Sequence, residues 1–147
     1  MSDNTLMKKF EEEVWSKVPH REEKDGKVQI VNATPLIDLT NDLKECAKTV
    51  YDVDISNKDF KIYGKFDCTL LTGSIKVRPA VNIIHDAITT GKINSGTTVI
   101  EATSGNFGIA LGLLSKIGVT AIALVSRKLQ EGVFKELRNG NIRIMDL

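Results

Sequence analysis

Two short stretches of the sequence contain residue types that could carry chemistry. The first, residues 72–76 (Thr-Gly-Ser-Ile-Lys), places Lys76 in the first turn of a predicted helix. The positive end of the helix dipole disfavours the charged form of an amine at that position. A neutral lysine amine attacks carbonyl carbons, so Lys76 is a candidate nucleophile. An ordinary exposed lysine near a helix start is the other interpretation of this stretch.

The second stretch, residues 103–108 (Thr-Ser-Gly-Asn-Phe-Gly), follows a predicted strand and leads into a helix. Open α/β sheets bind ligands at such strand-to-helix turns. The two glycines let the backbone approach an anion, and Thr103, Ser104 and Asn106 add side-chain donors. The stretch lacks the Gly-Lys-Ser/Thr of a P-loop and the third glycine of the dinucleotide fingerprint. It is therefore either a cradle for a carboxylate or phosphate, or a capped turn in which Gly108 allows close packing.

The elements between the two stretches should place them at the same end of one sheet. Residues 75–90 predict a helix and residues 97–102 predict a strand, and together they separate Lys76 from Asn106. In a parallel sheet, a connection of this kind returns the chain to the same sheet end. We therefore expect Lys76 and Asn106 to face one cleft.

The wider pattern predicts an α/β fold with a three-layer parallel sheet flanked by helices, because strands alternate with helices of suitable length. The predicted strands are 97–102, 120–125 and 142–145, and the predicted helices are 75–90, a short apolar one ending at 117, and 129–138. Upstream, Val28–Val31 predicts an extended segment, and residues 60–66 predict a strand. A helix capped by Asn41 or Asp42 is expected to run to about residue 53.

The first 27 residues have a different pattern. Leu6, Phe10, Val14 and Val18 recur every fourth position among charged residues, which predicts a helical arm over residues 1–27. The arm could pack on the body or on a partner, or lie in solvent as an amphipathic helix. The domain organisation is thus an arm of residues 1–27 followed by an α/β domain of residues 28–147.

Composition excludes several classes of function. The 147 residues include 20 Lys and Arg against 19 Asp and Glu, so the net charge of +1 argues against a nucleic-acid or membrane-surface protein. No apolar stretch approaches the roughly 20 residues that span a bilayer. The two cysteines and two histidines are not spaced as zinc ligands, so no metal site is predicted. We expect a reduced, soluble, cytoplasmic protein.

The motifs together resemble a known family. Thr-Gly-Ser-Ile-Lys-x-Arg-Pro-Ala, followed by Thr-Ser-Gly-Asn-x-Gly, is similar to the cysteine synthase and cystathionine β-synthase family of fold-type-II enzymes that use pyridoxal 5′-phosphate. The segment Asn-Ala-Thr-Pro-Leu at 32–36 and the segment 86–102 also follow the family pattern. The likeness covers about residues 29–147 and implies the small N-terminal domain of such an enzyme.

The resemblance implies roles for the two stretches. Lys76 would be the catalytic residue that forms a Schiff base with pyridoxal 5′-phosphate and moves the α-proton of the substrate. Asn106 would hydrogen-bond the ring hydroxyl of the cofactor. The substrate carboxylate would be bound by Thr103, Ser104, Gly105, Asn106 and Phe107. The implied reaction replaces the β-substituent of an activated serine with a nucleophile such as sulfide to give cysteine, the chemistry of a transferase or lyase.

Three residues depart from the family pattern. Val77 stands where the family usually has Asp, Phe107 where cysteine synthases usually have Thr, and Leu71 in place of the usual Asn-Pro approach to the lysine. Synthesis of 2,3-diaminopropionate or another β-substituted alanine is therefore an alternative activity. A non-catalytic docking or regulatory piece is an alternative of another class, which the presence of both Lys76 and Asn106 disfavours.

In that family, the loop that binds the cofactor phosphate lies in a C-terminal half. We therefore expect this chain to be an N-terminal half that is inactive by itself and works with a C-terminal half or a second chain. A homodimer acting on a small amino-acid substrate is the expected assembly.

Overall fold

The structure is a computed structural model that describes residues 3–146. The helices are α1 (Asp3–Glu13), α2 (Thr40–Tyr51), α3 (Val77–Thr89), α4 (Asn106–Leu111) and α5 (Glu131–Asn139). The strands are β1 (His20–Lys24), β2 (Lys27–Val31), β3 (Leu36–Asp38), β4 (Tyr63–Lys65), β5 (Thr98–Ala102), β6 (Thr120–Val125) and β7 (Arg143–Asp146). The described chain forms two compact units: residues 3–33 with 68–146, and residues 34–67. The predicted division at residue 27 stays a prediction.

The first unit contains a parallel sheet in the order β5-β6-β7. Val99 pairs with Ala121, and Ala123 pairs with Ile144. Alternate residues of β6 are buried and half-buried, as expected for a strand between two neighbours. The α/β class and these three strands are confirmed. The other two sheets of the described residues are antiparallel pairs, β1-β2 and β3-β4, so the predicted three-layer parallel sheet is present only in part.

Glycines end the connections that build this sheet. A short 3-10 helix, Gly112–Ile117, continues α4, and Gly118 ends it with φ +81°. Gly91 has φ +70° and follows the end of α3. Such left-handed conformations favour glycine because it has no Cβ. Both helices therefore end at the glycines that the sequence predicted.

The N-terminal stripe packs on the body of the first unit. Leu6, Phe10, Val14 and Val18 are all buried, and they share one core cluster with Ile84 of α3 and with other apolar residues of the first unit. The stripe therefore packs on the body, and the interpretation of a helix that lies in solvent is wrong for these four residues. Burial of these four apolar side chains stabilises the packed segment relative to one that lies in solvent.

The predicted helix over residues 1–27 is too long. In the structure, α1 ends at Glu13. The strands β1 and β2 then form an antiparallel hairpin in which Lys24 pairs with Lys27. A 3-10 turn, Trp15–Lys17, follows α1, and Pro19 prevents helix from continuing beyond it, because proline disfavours helix at the preceding residue and Val18 is extended, with φ −118° and ψ 145°. Asp25 and Gly26 both have positive φ and make the tight turn that an Asp-Gly pair favours.

The second unit consists of α2 and the β3-β4 pair. The helix begins at Thr40 rather than at a cap formed by Asn41 or Asp42. The Asp38 carboxylate accepts a hydrogen bond from the Thr40 backbone N–H at 2.9 Å, and the Thr40 hydroxyl accepts one from the Ile62 N–H at 3.0 Å. A side chain two residues before the helix therefore satisfies its first N–H group. Within residues 3–146, no helix is long and apolar enough to cross a membrane.

Candidate active site

Lys76 lies at the end of a short loop, directly before α3 begins at Val77. Gly73 has φ +68° and donates its N–H to the Leu70 carbonyl at 2.7 Å, which closes a turn. The Lys76 N–H donates to the Ser74 hydroxyl at 3.2 Å. Val77 is fully buried, whereas Lys76 is exposed. The helix is thus fixed in the core by the residue next to the lysine, and the amine is free to reach into solvent or a ligand.

The position of Lys76 differs slightly from the expected one. It precedes the helix instead of lying in its first turn, and its side chain is exposed in the described chain.

The loop 103–108 is held by one hydroxyl. The Thr103 N–H donates to the Leu124 carbonyl at 3.0 Å, which continues the contact between β5 and β6. The Thr103 hydroxyl oxygen accepts hydrogen bonds from the N–H groups of Gly108 at 3.0 Å and Gly105 at 3.4 Å. Gly105 has φ +151°, a conformation that an L side chain rarely adopts. Asn106 follows as the first residue of α4 and is exposed.

Gly108 packs too closely for any side chain. A Cβ added there would lie 2.5 Å from the Thr103 Cγ2 and 3.0 Å from the Leu137 Cδ2. Leu137 is fully buried on α5, so it has little room to move. The capped-turn interpretation therefore describes the internal structure of this loop correctly.

The two stretches meet at one cleft of about 490 Å³. Lys76 and Asn106 both line it, which confirms the expectation that they share a cleft. The other predicted substrate-binding residues also line it, namely Thr103, Ser104, Gly105 and Phe107. Phe107 is half-buried and packs against the core cluster of the first unit.

Sequence reasoning did not assign three residues of the cleft, Glu101, Ala102 and Val133. Glu101 is the penultimate residue of β5 and shares the face of Val99, so strand alternation could have placed it near the loop. Val133 comes from α5, and a Cβ at Gly105 would lie 3.4 Å from its Cγ1. No local signal marks it, because the contact arises only when α5 folds back onto the sheet.

The cleft carries charges of both signs. Among its described lining residues, Lys76 is the one basic residue and Glu101 is the one acidic residue. A primary amine, a carboxamide and hydroxyl groups thus surround a cavity of the size that small-molecule ligands occupy. Such a set can condense with an aldehyde and hydrogen-bond a carboxylate. Within residues 3–146, no group of three or more His, Cys, Asp or Glu could hold a metal ion.

Comparison with known proteins identifies relatives that are similar in sequence to this chain. The cysteine synthase of Aquifex aeolicus is 36% identical over 96 residues, which are 65% of this chain and 27% of that protein. The N-(2-amino-2-carboxyethyl)-L-glutamate synthase of Ralstonia nicotianae is 33% identical over 112 residues, 76% of this chain and 30% of that protein. This chain thus spans less than a third of the length of these curated relatives.

The fold comparison agrees. The crystal structure of the O-acetylserine dependent cystathionine β-synthase from Helicobacter pylori matches 78% of this chain and 34% of that chain, with a TM-score of 0.64 and 30% identity. The family described as "Pyridoxal-phosphate dependent enzyme" matches residues 29–146. These residues contain both chemical stretches, the whole parallel sheet and the cleft between them. The chain therefore belongs to the family of pyridoxal-phosphate dependent enzymes.

Proposed function

We propose that this chain supplies the lysine and the substrate loop of an enzyme that replaces the β-substituent of an activated serine, as a cysteine synthase does. The observation that carries the proposal is that Lys76 and Asn106 line the same cleft. Relatives of more than 30% identity that make cysteine or a substituted alanine support this reaction class.

The groups in the cleft fit the cofactor of the family. The Lys76 amine can condense with the aldehyde of pyridoxal 5′-phosphate, and the Asn106 carboxamide can donate a hydrogen bond to its ring hydroxyl oxygen. The cavity of about 490 Å³ lies within the range of cofactor sites. When bound, the cofactor supplies an electron sink that stabilises negative charge at the substrate α-carbon.

The residues of the chain then act on the substrate. The Lys76 amine removes the proton from the α-carbon, because a free amine is a stronger base than the carboxylate of Glu101, the other ionisable side chain that lines the cleft. The Ser104 hydroxyl and the Asn106 carboxamide donate to the substrate carboxylate, since both residues are exposed toward solvent at the loop. The Thr103 hydroxyl oxygen already accepts two backbone N–H groups, so Thr103 mainly holds the loop in position.

Phe107 favours a second candidate activity. It stands where cysteine synthases usually carry a threonine, and its half-buried ring adds apolar surface to the cleft instead of a hydroxyl. The Ralstonia relative is a synthase of N-(2-amino-2-carboxyethyl)-L-glutamate, a substituted 2,3-diaminopropionate. An amine nucleophile giving 2,3-diaminopropionate or another β-substituted alanine is therefore the alternative to sulfide.

The whole enzyme requires more than these residues. Because this chain spans less than a third of its curated relatives, we infer that a C-terminal half or second chain provides the remaining cofactor contacts. We expect the chain alone to hold the cofactor weakly, since few contacts must offset the cost of association. A homodimer in the cytoplasm, with the parallel sheet completed into a three-layer domain, is part of the same proposal.

Absorption spectroscopy tests the proposal. Pyridoxal 5′-phosphate is added to the chain, with and without the remainder of the enzyme, and the visible band of the lysine-bound cofactor is measured. Borohydride reduction followed by peptide mass spectrometry then identifies the modified lysine. We expect Lys76 to be labelled, Lys76→Ala to lose the band, and Lys92→Ala to keep it, because Lys92 lies outside the cleft.

Two outcomes would contradict the proposal. If no band forms under either condition, the chain is a docking or regulatory piece instead of part of an enzyme. If Lys76→Ala keeps both the band and the label, another lysine holds the cofactor. Product analysis with O-acetylserine and either sulfide or an amine then separates the two candidate activities.

A further inference from the structure

A second cavity of about 560 Å³ lies beside the loop that leads to Lys76. It is formed by the loop residues 71–73, the 3-10 helix Gly112–Ile117 and the C-terminal end of α5 with the turn that follows it. No residue lines both this second cavity and the cleft of Lys76. The two are therefore separate places in the first unit, connected through the short loop 70–76.

The wall of the second cavity carries one ammonium and one carboxylate. These belong to Lys116, on the 3-10 helix, and Glu136, on α5. Both side chains are exposed, and within residues 3–146 neither of them forms an ion pair. Two carboxamides, from Asn139 and Asn141, complete the polar part of the wall.

The remainder of the wall is apolar. Leu113 is buried, Ile109 is half-buried, and Leu71 is exposed on the loop side. A ligand that carries both charges on one end and an apolar group on the other would satisfy both parts of this wall.

The 3-10 helix and α5 form a rigid side of the cavity. A Cβ added to Gly112 would lie 2.9 Å from the Gly140 carbonyl oxygen, so the two backbones are in close contact. The Ser115 hydroxyl donates to the Gly112 carbonyl at 2.7 Å, which also holds this side together. The backbone segments that carry Lys116 and Glu136 are therefore held rigidly against each other.

The loop side of the cavity contains an unsatisfied group. The Thr72 hydroxyl oxygen is buried and has no hydrogen-bond partner among the described residues. A buried hydroxyl without a partner destabilises the fold. Thr72 also lines the second cavity and is four positions from Lys76.

We propose that the second cavity binds a zwitterionic α-amino acid with an apolar side chain. The ligand carboxylate lies against the Lys116 ammonium, the ligand ammonium lies against the Glu136 carboxylate, and its side chain contacts Leu71 and Leu113. The site does not depend on the proposed function, because neither Lys76 nor a cofactor takes part in it.

L-valine is a suitable probe because it has no β-leaving group and cannot undergo the proposed reaction. Binding to the isotope-labelled chain is followed by amide chemical shifts and by calorimetry. We expect saturation below about 10 mM, with shifts at Gly73, Gly112 and Gly140. Isovalerate and isobutylamine, which each lack one charge, should bind at least about tenfold more weakly.

Four variants decide the location of the ligand. Lys116→Gln and Glu136→Gln should each weaken binding at least about tenfold, whereas the exposed control Lys135→Gln should leave it unchanged. Lys76→Ala should also leave it unchanged. The proposal is overturned if valine does not bind, if the two cavity variants bind as well as the parent chain, or if Lys76→Ala abolishes binding, which would place the ligand in the cleft.

Discussion

The Thr103 hydroxyl oxygen accepts the backbone N–H of Gly108 at 3.0 Å and joins the two ends of the loop that borders the cleft. The same oxygen accepts the Gly105 N–H at 3.4 Å. One side chain therefore fixes both glycines, and with them the exposed residues Ser104 and Asn106 of the same loop. In the proposed enzyme, this hydroxyl acts on the substrate through the loop that it holds.

Thr103→Val should destabilise the chain, because it leaves the N–H groups of Gly105 and Gly108 without their acceptor. Loss of a partner for buried groups costs about 1–3 kcal/mol in the free energy of unfolding. Denaturant unfolding measures this loss, and hydrogen exchange should be faster at the two glycine amides. Thr103→Ser keeps the oxygen and should retain most of the stability; a Thr103→Val variant as stable as the parent chain would contradict the role of the hydroxyl.

Gly108→Ala should be destabilising for a steric reason. Its Cβ would overlap the Thr103 Cγ2 and press on the buried Leu137, and overpacking of this kind costs about 1–3 kcal/mol. Gly132→Ala is the matched control, because a Cβ at Gly132 meets no described atom within 4 Å and lies in α5. There, alanine should stabilise the helix by about 0.5–1 kcal/mol. Similar effects at both glycines, measured by thermal unfolding, would contradict the packing argument.

The loop before the lysine offers a stabilising substitution. Thr72→Val replaces the unpartnered hydroxyl with a methyl group of similar shape, which is near neutral or stabilising for such a group. We expect the free energy of unfolding to rise by up to about 1 kcal/mol in the chain without ligand. Thr72→Ser keeps the hydroxyl and loses a methyl group, so it should be no more stable than the parent. A clear loss of stability in Thr72→Val would show that the hydroxyl has an important partner.

The sequence predicted best those features that a repeating pattern determines. Thr120–Val125 is a continuous apolar segment that only a strand with two neighbours can bury, and its predicted bounds agree with β6. The meeting of Lys76 and Asn106 follows from the geometry of parallel connections, so it was predictable without contacts. Pro19 is a local signal against helix, but the apolar stripe continues to Val18 at helical spacing. The predicted arm therefore continued past the end of α1.

Other features depend on tertiary contacts that no local pattern encodes. Val133 reaches the cleft only because α5 packs over the loop, and the exposure of Lys76 depends on what surrounds a short turn. The start of α2 was also missed, because Asp38 lies in a strand and bonds forward to Thr40. Strand residues are not usual candidates for satisfying the first N–H of a helix.

Asp38 should make the stability of the second unit depend on pH. Hydrogen bonds from the Thr40 side chain and backbone, with a smaller contribution from the Lys61 charge, lower the pKa of Asp38 below its ordinary value of 3.8. A carboxyl group whose folded pKa is lowered stabilises the fold above its unfolded pKa, and this contribution is lost as the pH falls through the folded pKa. The stability of α2 and the β3-β4 pair should therefore decrease when the pH drops below about 4.

Amide exchange in α2, measured from neutral pH to about pH 3, tests this with Asp38→Asn and with Glu45→Gln as a control in the same helix. The difference between the parent and Asp38→Asn should be largest near neutral pH and shrink in acid, and a difference that stays constant over this range would exclude the carboxylate as its source.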